Sequence, residues 1–288
     1  MKTILITGIN GFLGSKLASK LIHNYVIIGI DKSRANPSRL KNIEVEVFNG
    51  EDDFECIFIK NRIDAIIHTA TIYESGGLLS KQIETNILLP IRLIEIGNKY
   101  GCKLFLNTDS FFNDGRLSYK YLESYSFSKK NLIDWFAFLN AELKIVNMKL
   151  FHMYGPDDNP NKFIPILLKR LLNNEPNIDM TMGEQRRDFI YIDDVVSAFE
   201  LVLSQEYNLW GKFNEIEVGS AVSTSIRELA LLMKNIAKST SKLNFGGLPY
   251  REGELMFSSA NNIKLKQLGW LIEYDLERGL IKTIIENT

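Results

Sequence analysis

The opening stretch Met1-Lys2-Thr3-Ile4-Leu5-Ile6-Thr7-Gly8-Ile9-Asn10-Gly11-Phe12-Leu13-Gly14 constrains this chain more than any other. Ile4, Leu5 and Ile6 read as a buried strand, and glycines at 8, 11 and 14 turn it sharply into a helical pattern from Ser15 to Ile22. Glycine lets the backbone come within contact distance of a ligand. An anion held there sits at the positive end of the helix. The stretch therefore reads as a phosphate-binding turn at the first crossover of an open sheet, with Gly8, Asn10, Gly11, Phe12, Leu13 and Gly14 as candidate cofactor contacts.

The rest of the chain alternates strands and helices in the same way. Tyr25 to Ile30 reads as a second buried strand ending at Asp31, which is placed to accept hydrogen bonds from an adenosine ribose. Lys32 and Arg34 follow at once and could face a 2′-phosphate, so NAD(H) and NADP(H) both stay open. A third strand, Ile43 to Phe48, ends in the acidic turn Asn49-Gly50-Glu51-Asp52. A fourth, Asp64 to His68, runs into Thr69-Ala70-Thr71, and His68 reads as a core histidine beside that segment rather than as a catalyst. Residues 79 to 99 carry apolar positions at helical spacing, with Asn86 in the first third and a kink expected at Pro90. Lys103 to Asn107 is a fifth strand, and Thr108-Asp109-Ser110 lies at its carboxyl end, the edge where open parallel sheets bind ligands. A helix from about Glu123 to Ala141 and a sixth strand, Lys144 to Leu150, complete a doubly wound α/β sheet of Rossmann type.

One pair carries chemistry. Tyr125 and Lys129 are four residues apart and so share a helix face. A phenol loses its proton near pH 10 in water, and working near neutrality needs roughly 4 kcal/mol of help. A neighbouring cation supplies part of it. Of the eleven tyrosines, Tyr125 alone has lysine at the fourth position after it.

The conjunction of the glycine turn, a hydroxyl after the fifth strand and Tyr125-x-x-x-Lys129 resembles the extended branch of the short-chain dehydrogenases/reductases, the NAD-dependent epimerase/dehydratase family. Tyr154-Gly155-Pro156, Arg187-Asp188-Phe189 with Asp194-Val195, and Arg251-Glu252-Gly253 resemble later motifs of that family. The resemblance implies a cofactor domain over 1–151, with 187–217 returning to it, and a smaller interleaved nucleotide-sugar domain over 152–186 and 218–288. It implies that Thr108 polarises a carbonyl oxygen, that Tyr125 passes the proton, and that Lys129 holds the nicotinamide ribose while lowering the phenol pKa. It places His68, Thr69, Ala70 and Asn86 along the cofactor. Asp109, Ser110, His152, Lys162, Phe163, Arg187 and Arg251 fall on the substrate, with His152 standing where the family commonly has asparagine. It also implies a homodimer through helices 79–99 and 123–141.

Within the family the residues narrow the reaction. Dehydratases carry Thr-Asp-Glu after the fifth strand, whereas Thr108-Asp109-Ser110 lacks the glutamate needed to deprotonate C5. Reductases that also epimerise use a cysteine and a histidine at positions held here by Phe111 or Phe112 and by Asp157. What remains is 4-keto reduction or 4-epimerisation; Thr108-Asp109-Ser110 and Lys162-Phe163 resemble those of the family's 4-ketoreductases, which implies reduction of the C4 keto group of a nucleoside-diphosphate 4-keto-6-deoxy sugar. The alternatives are a 4-epimerase that retains NAD and a non-catalytic cofactor-binding scaffold.

Composition bounds the partners. With a net charge of −1, the chain offers no polyelectrolyte attraction to nucleic acid or anionic membrane. No apolar run approaches the roughly 20 residues of a membrane span. Cys56 and Cys102 are the only cysteines, which suggests neither a disulfide framework nor a metal site. A cytoplasmic location is expected, since no leader-like segment precedes the first strand.

Overall fold

The computed structural model describes residues 1–32, 38–40, 43–50, 53–73, 78–113 and 122–287; Arg34, Glu51 and Asp52, named above, lie outside the described residues. The strands are β1 (Thr3–Thr7), β2 (Val26–Asp31), β3 (Glu46–Asn49), β4 (Ala65–His68), β5 (Leu104–Ser110) and β6 (Lys144–Leu150). They are followed by β7 (His152–Tyr154), β8 (Asn177–Met180), β9 (Arg186–Tyr191), β10 (Phe213–Val218), β11 (Ser223–Ser225) and β12 (Lys242–Phe245). The chain divides into two compact units, the first over 1–113, 122–149 and 196–216 and the second over 150–195 and 217–287 among the described residues. Among those residues no helix is long and apolar enough to cross a membrane.

The first unit is built on a seven-stranded parallel sheet in the order β10-β6-β5-β4-β1-β2-β3. The order reverses at β1, with Ile6 pairing Gly29 on one side and Ile67 on the other. That reversal opens a crevice at the carboxyl ends of the strands. Strands covered on both faces should be largely apolar; Ile4, Leu5 and Ile6 are completely buried, and every residue of β4 and β5 is buried. Helices α1 (Phe12–Leu21), α2 (Phe54–Lys60), α3 (Leu79–Ile83), α4 (Leu89–Lys99) and α5 (Glu123–Phe136) belong to this unit. Ile57, Leu93 and Leu132 pack from α2, α4 and α5 onto Leu5, Ile66 and Phe105 of the sheet.

Two helices differ from the expectation. The stretch 79–99 is continuous, but a π-helical turn, Glu84–Leu88, joins α3 to α4 immediately before Pro90. Pro90 has no N–H to donate back along the helix, and the widened turn absorbs that loss. Helix α5 ends at Phe136 rather than near Ala141; beyond it Phe138 is 79% exposed, while Leu139 and Ala141 still pack against the core without helical structure.

The second unit has a three-stranded sheet, β11-β9-β7, and a pair, β12-β8. β9 runs parallel to β7 and antiparallel to β11, which draws 187–195 into this unit rather than the first. Asp188 accepts at both oxygens, from the Ser220 N–H and hydroxyl and from the Ala221 and Ala260 N–H groups, at 2.7–2.9 Å. Ser225 and Glu228 form a reciprocal capping box that starts the helix Ile226–Ile236.

The β1–α1 turn depends on backbone touching backbone. A Cβ on Gly14 would lie 2.2 Å from the Gly8 carbonyl oxygen and 2.9 Å from Ile9 Cα, neither of which can swing away. Gly14→Ala is expected to cost about 2–3 kcal/mol or more through overpacking. Thermal unfolding followed by circular dichroism checks it, and an unchanged midpoint would show that the turn has room to spare.

Candidate active site

The glycine turn meets the geometric demands of a dinucleotide cradle. Gly8 adopts φ +66°, and a Cβ there would lie 2.7 Å from Ala70 N, so β1 and the segment after β4 touch through backbone alone. Gly8 N–H donates to Ile30 O and Gly11 N–H to Gly8 O, both at 2.8 Å. Gly11 stands at the N-cap of α1 with no side-chain capping bond, which leaves the helix end to an anion. Leu13 is buried in the core, so only its backbone can serve a ligand. Asp31 lies at the end of β2 as expected, and its carboxylate also accepts from Asn10 N–H (2.9 Å) and Lys32 N–H (2.8 Å), fastening the turn to the second strand. The Lys32 side chain is exposed. Arg39, which the sequence pattern did not single out, donates to Asn10 O at 3.3 Å and brings a second guanidinium or ammonium group to this end of the crevice.

Thr69 Oγ1 donates to Thr7 O at 2.7 Å, and Ala70 N–H to Thr7 Oγ1 at 3.3 Å. His68 is fully buried, with Nδ1 2.8 Å from Thr7 Oγ1 and its ring stacked on Phe105. Burial and the Lys129 charge hold it well below the usual histidine range, in the neutral form. Its imidazole is thus part of the core and not a surface for the cofactor. Asn86, in the π turn, accepts from Ile72 N–H (2.8 Å) and donates to Ile72 O (3.0 Å) and Ser128 Oγ (2.9 Å). Ser128 Oγ donates in turn to Tyr125 O at 2.7 Å. Asn86 therefore ties the segment after β4 to the helix of the catalytic pair.

β5 runs on to Ser110, three residues beyond the end expected, and so places Thr108 and Ser110 at positions i and i+2 of one strand. The Thr108 hydroxyl donates to His68 O at 2.8 Å. The Ser110 hydroxyl is close enough to the Tyr125 phenol to oppose the rise in its pKa. Ser110 Oγ accepts from Phe112 N–H at 3.3 Å, which frees its own hydrogen for the phenol oxygen. The polarising role expected of Thr108 is thus open to Ser110 as well, since the Thr108 hydroxyl is engaged by the His68 carbonyl. Asp109 also departs from the substrate role expected of it. It is 3% exposed, with Oδ2 accepting from Asn113 (3.0 Å) and Asn147 (2.9 Å), and burial raises its pKa. It is a wall group rather than a presented ligand.

Tyr125 and Lys129 do share a buried face of α5. Lys129 Nζ donates to Thr108 O at 2.7 Å and stands 5.9 Å from the centre of the Tyr125 ring. The ammonium is thus drawn to a carbonyl rather than to the phenol oxygen. Contrary to the expectation from spacing, the phenol pKa is raised, first by burial and then by the Asp109 carboxylate, with the Ser110 hydrogen bond opposing. Lys129 is pushed down to about 8 by burial, against the pull of Asp109. The tyrosine is held as an acid. Tyr73, another group the sequence did not reveal, packs edge-on against it with ring centres 5.0 Å apart.

The second unit gathers its own polar cluster. His152 is kept neutral by burial and by the charges of Arg187 and Lys162, and its ring lies against Phe189. Lys162 pairs with Asp158 at 2.8 Å. Arg187 is 5% exposed, donates to Arg186 O at 2.9 Å and pairs with Glu254. Phe163 is 41% exposed at the start of its helix, and Arg251 is exposed on the turn that leads to Glu254. The structure therefore brings His152, Lys162 and Arg187 together, and it adds Glu254.

The chain matches the model of the NAD dependent epimerase/dehydratase family over residues 4–214. It is 36% identical to a CDP-abequose synthase of Salmonella muenchen, covering 98% of this chain and 97% of that protein. The UDP-glucose 4-epimerase of Thermotoga maritima, solved with UDP-glucose, superposes with a TM-score of 0.84 at 25% identity, covering 99% and 98% of the two chains. The UDP-glucuronic acid 4-epimerase of Bacillus cereus, solved with UDP-glucuronic acid and NAD, gives 0.84 at 23% identity with the same coverage and shares the fold.

The buried ammonium makes stability depend on pH. Folded, Lys129 loses its proton near pH 8, whereas an unfolded lysine keeps it to about pH 10.4. Between those values the unfolded chain binds the extra proton, so stability rises with pH. In urea unfolding, the advantage of Lys129→Met over the parent chain is expected to shrink by up to about 3 kcal/mol from about pH 8 to about pH 10. A pH-independent difference would contradict the burial cost.

Proposed function

The chain belongs to the NAD dependent epimerase/dehydratase family, and on that premise we propose that it reduces the C4 keto group of a nucleoside-diphosphate 4-keto-6-deoxy sugar. The observation that carries this reading is the buried face of α5 that Tyr125 and Lys129 share, with the ammonium fixed to Thr108 O at the carboxyl end of β5. A 4-epimerase could use the same pair, so the preference for reduction rests on the likeness to a CDP-abequose synthase. The relative named for making CDP-abequose supports a sugar nucleotide as substrate. Ser110 standing where a dehydratase has glutamate argues against dehydration.

A bound nicotinamide cofactor, NADH or NADPH, would supply the hydride for C4. Tyr125 gives its proton to the carbonyl oxygen as that oxygen gains charge, so the C=O becomes CH–OH. Ser110 then donates its hydrogen bond to the phenolate left behind. Lys129 would hold the ribose of the cofactor, and its ammonium charge favours the phenolate. Gly8, Gly11 and Gly14 cradle the pyrophosphate, and Asp31 takes the adenosine ribose. Arg187, Lys162 and His152 hold the diphosphate and sugar of the substrate.

Incubation with a 4-keto-6-deoxy sugar nucleotide should consume one equivalent of reduced cofactor per product, read by its absorbance. Tyr125→Phe should lose about 10²- to 10⁴-fold in turnover. Product without cofactor loss would support the 4-epimerase. No turnover of any sugar nucleotide, or turnover untouched by Tyr125→Phe, would leave a cofactor-binding scaffold.

We also propose a homodimer. A groove along α3, the π turn, α4 and α5 is lined by Leu79, Ile83, Leu88, Phe127, Trp135 and Phe138, all more than a third exposed. Patches of this kind mark interaction surfaces, and a two-fold pairing would cover the same patch on both copies. Light scattering should give a dimer mass for the parent chain and a monomer mass for Phe127→Glu; a monomeric parent chain would refute the pairing.

A further inference from the structure

Arg187 and Glu254 form an ion pair almost sealed from water, with side chains 7% and 11% exposed. Glu254 reaches that place because the chain on both sides of it is fastened by backbone. After it, Arg186 N–H donates to Met256 O (2.8 Å) and Ser258 N–H to Arg186 O (3.1 Å), while Phe257 bridges to Arg186. Before it, Glu254 N–H closes a turn onto Arg251 O (3.1 Å), with Gly253 at φ +70° supplying the left-handed step. A segment without regular structure thus delivers a carboxylate to one defined spot.

On the other side of the pair, Arg187 Nη2 donates to Glu254 Oε1 and Nη1 to Arg186 O. Two acceptors on the two terminal nitrogens fix both the position and the plane of a guanidinium. The neighbouring cation is treated alike, since Lys162 Nζ is held 2.8 Å from Asp158 Oδ1. Each positive group facing His152 therefore carries its own carboxylate. An anion arriving here meets little net charge and must be recognised by the direction of the donors.

We propose that Glu254 is a positioning residue, which aims the Arg187 guanidinium at the diphosphate of the sugar nucleotide. This rests on Arg187 being a diphosphate ligand. Without the carboxylate, Arg187 keeps its charge, because a guanidinium does not titrate in this range, but loses its fixed plane. The cost then falls on binding, and the proton transfer at Tyr125 is untouched.

The experiment measures binding of UDP and of CDP by calorimetry, and KM and kcat with a 4-keto-6-deoxy sugar nucleotide, for Glu254→Gln, Glu254→Asp and Arg187→Ala beside the parent chain. Glu254→Gln should weaken nucleoside diphosphate binding and raise KM about tenfold or more while kcat stays within about twofold; Glu254→Asp, which keeps the charge, should recover part of the loss. Should Glu254→Gln not fold, Glu254→Asp decides alone, with a raised KM at constant kcat supporting the role and parental values overturning it. Tighter nucleotide binding by Glu254→Gln would overturn it too, since Glu254 would then compete with the diphosphate for Arg187. Unchanged nucleotide binding by Arg187→Ala would instead sink the diphosphate reading of Arg187; loss of binding there with parental behaviour of both Glu254 variants would sink only the role of Glu254.

Discussion

The first unit depends on a contact that only missing side chains permit. Gly8 meets Ala70 and Gly14 meets Gly8 with backbone atoms so close that a Cβ at either glycine would overlap them. That contact draws β1, the segment after β4 and the start of α1 into one junction, at the point where the strand order reverses. Much of the candidate site follows from it. Thr7 holds Ala70 and His68, the His68 carbonyl takes the Thr108 hydroxyl, and the Thr108 carbonyl takes Lys129. A continuous chain of hydrogen-bonded residues therefore runs from the glycine turn to Lys129, and each member is buried or nearly so.

Buried polar groups arranged this way carry a cost that pairing offsets. An unpaired buried donor or acceptor loses about 1–3 kcal/mol, so a chain of partners is stable only when it is nearly complete. The same low-dielectric setting determines the chemistry. It disfavours charge on both Tyr125 and Lys129, leaving a neutral phenol and an ammonium that yields its proton near pH 8. A phenol held this way is a weaker acid than in water, so giving up its proton depends on charge that offsets the burial cost. Breaking the buried Arg187–Glu254 pair by removing one member would likewise cost about 3–5 kcal/mol, which is why each member needs the other in place.

Features encoded by local chemistry were legible in the sequence. The glycine turn, the apolar strands β1, β4 and β6, the shared face of Tyr125 and Lys129, and the Ser225–Glu228 capping box each follow from residues a few positions apart. Features set by tertiary contact were not. Thr108 and Ser110 stand on one strand with equal claims to the phenol, and the His68 carbonyl, 40 positions before Thr108, engages the first and leaves the second. The direction of the Tyr125 shift was misjudged because spacing reveals a cation but not how deeply the phenol is buried. Asp109 turns inward because Asn147, 38 positions away, is there to hold it. Glu254 lies 67 positions from Arg187, beyond the reach of any local pattern.

The two kinds of polar network divide the labour. Around Tyr125 one ammonium, Lys129, stands among neutral donors and carbonyls, with Asp109 set back behind amides. The cluster around His152 is built from full charges, each matched by a carboxylate, so it can orient an anion without attracting every one. On the function proposed above, scarce charge at Tyr125 would suit proton transfer and paired charge at Arg187 would suit anion recognition, and neither arrangement would serve the other purpose. A charged cluster at Tyr125 would pull its proton away, and a neutral one at Arg187 would have no grip on a diphosphate.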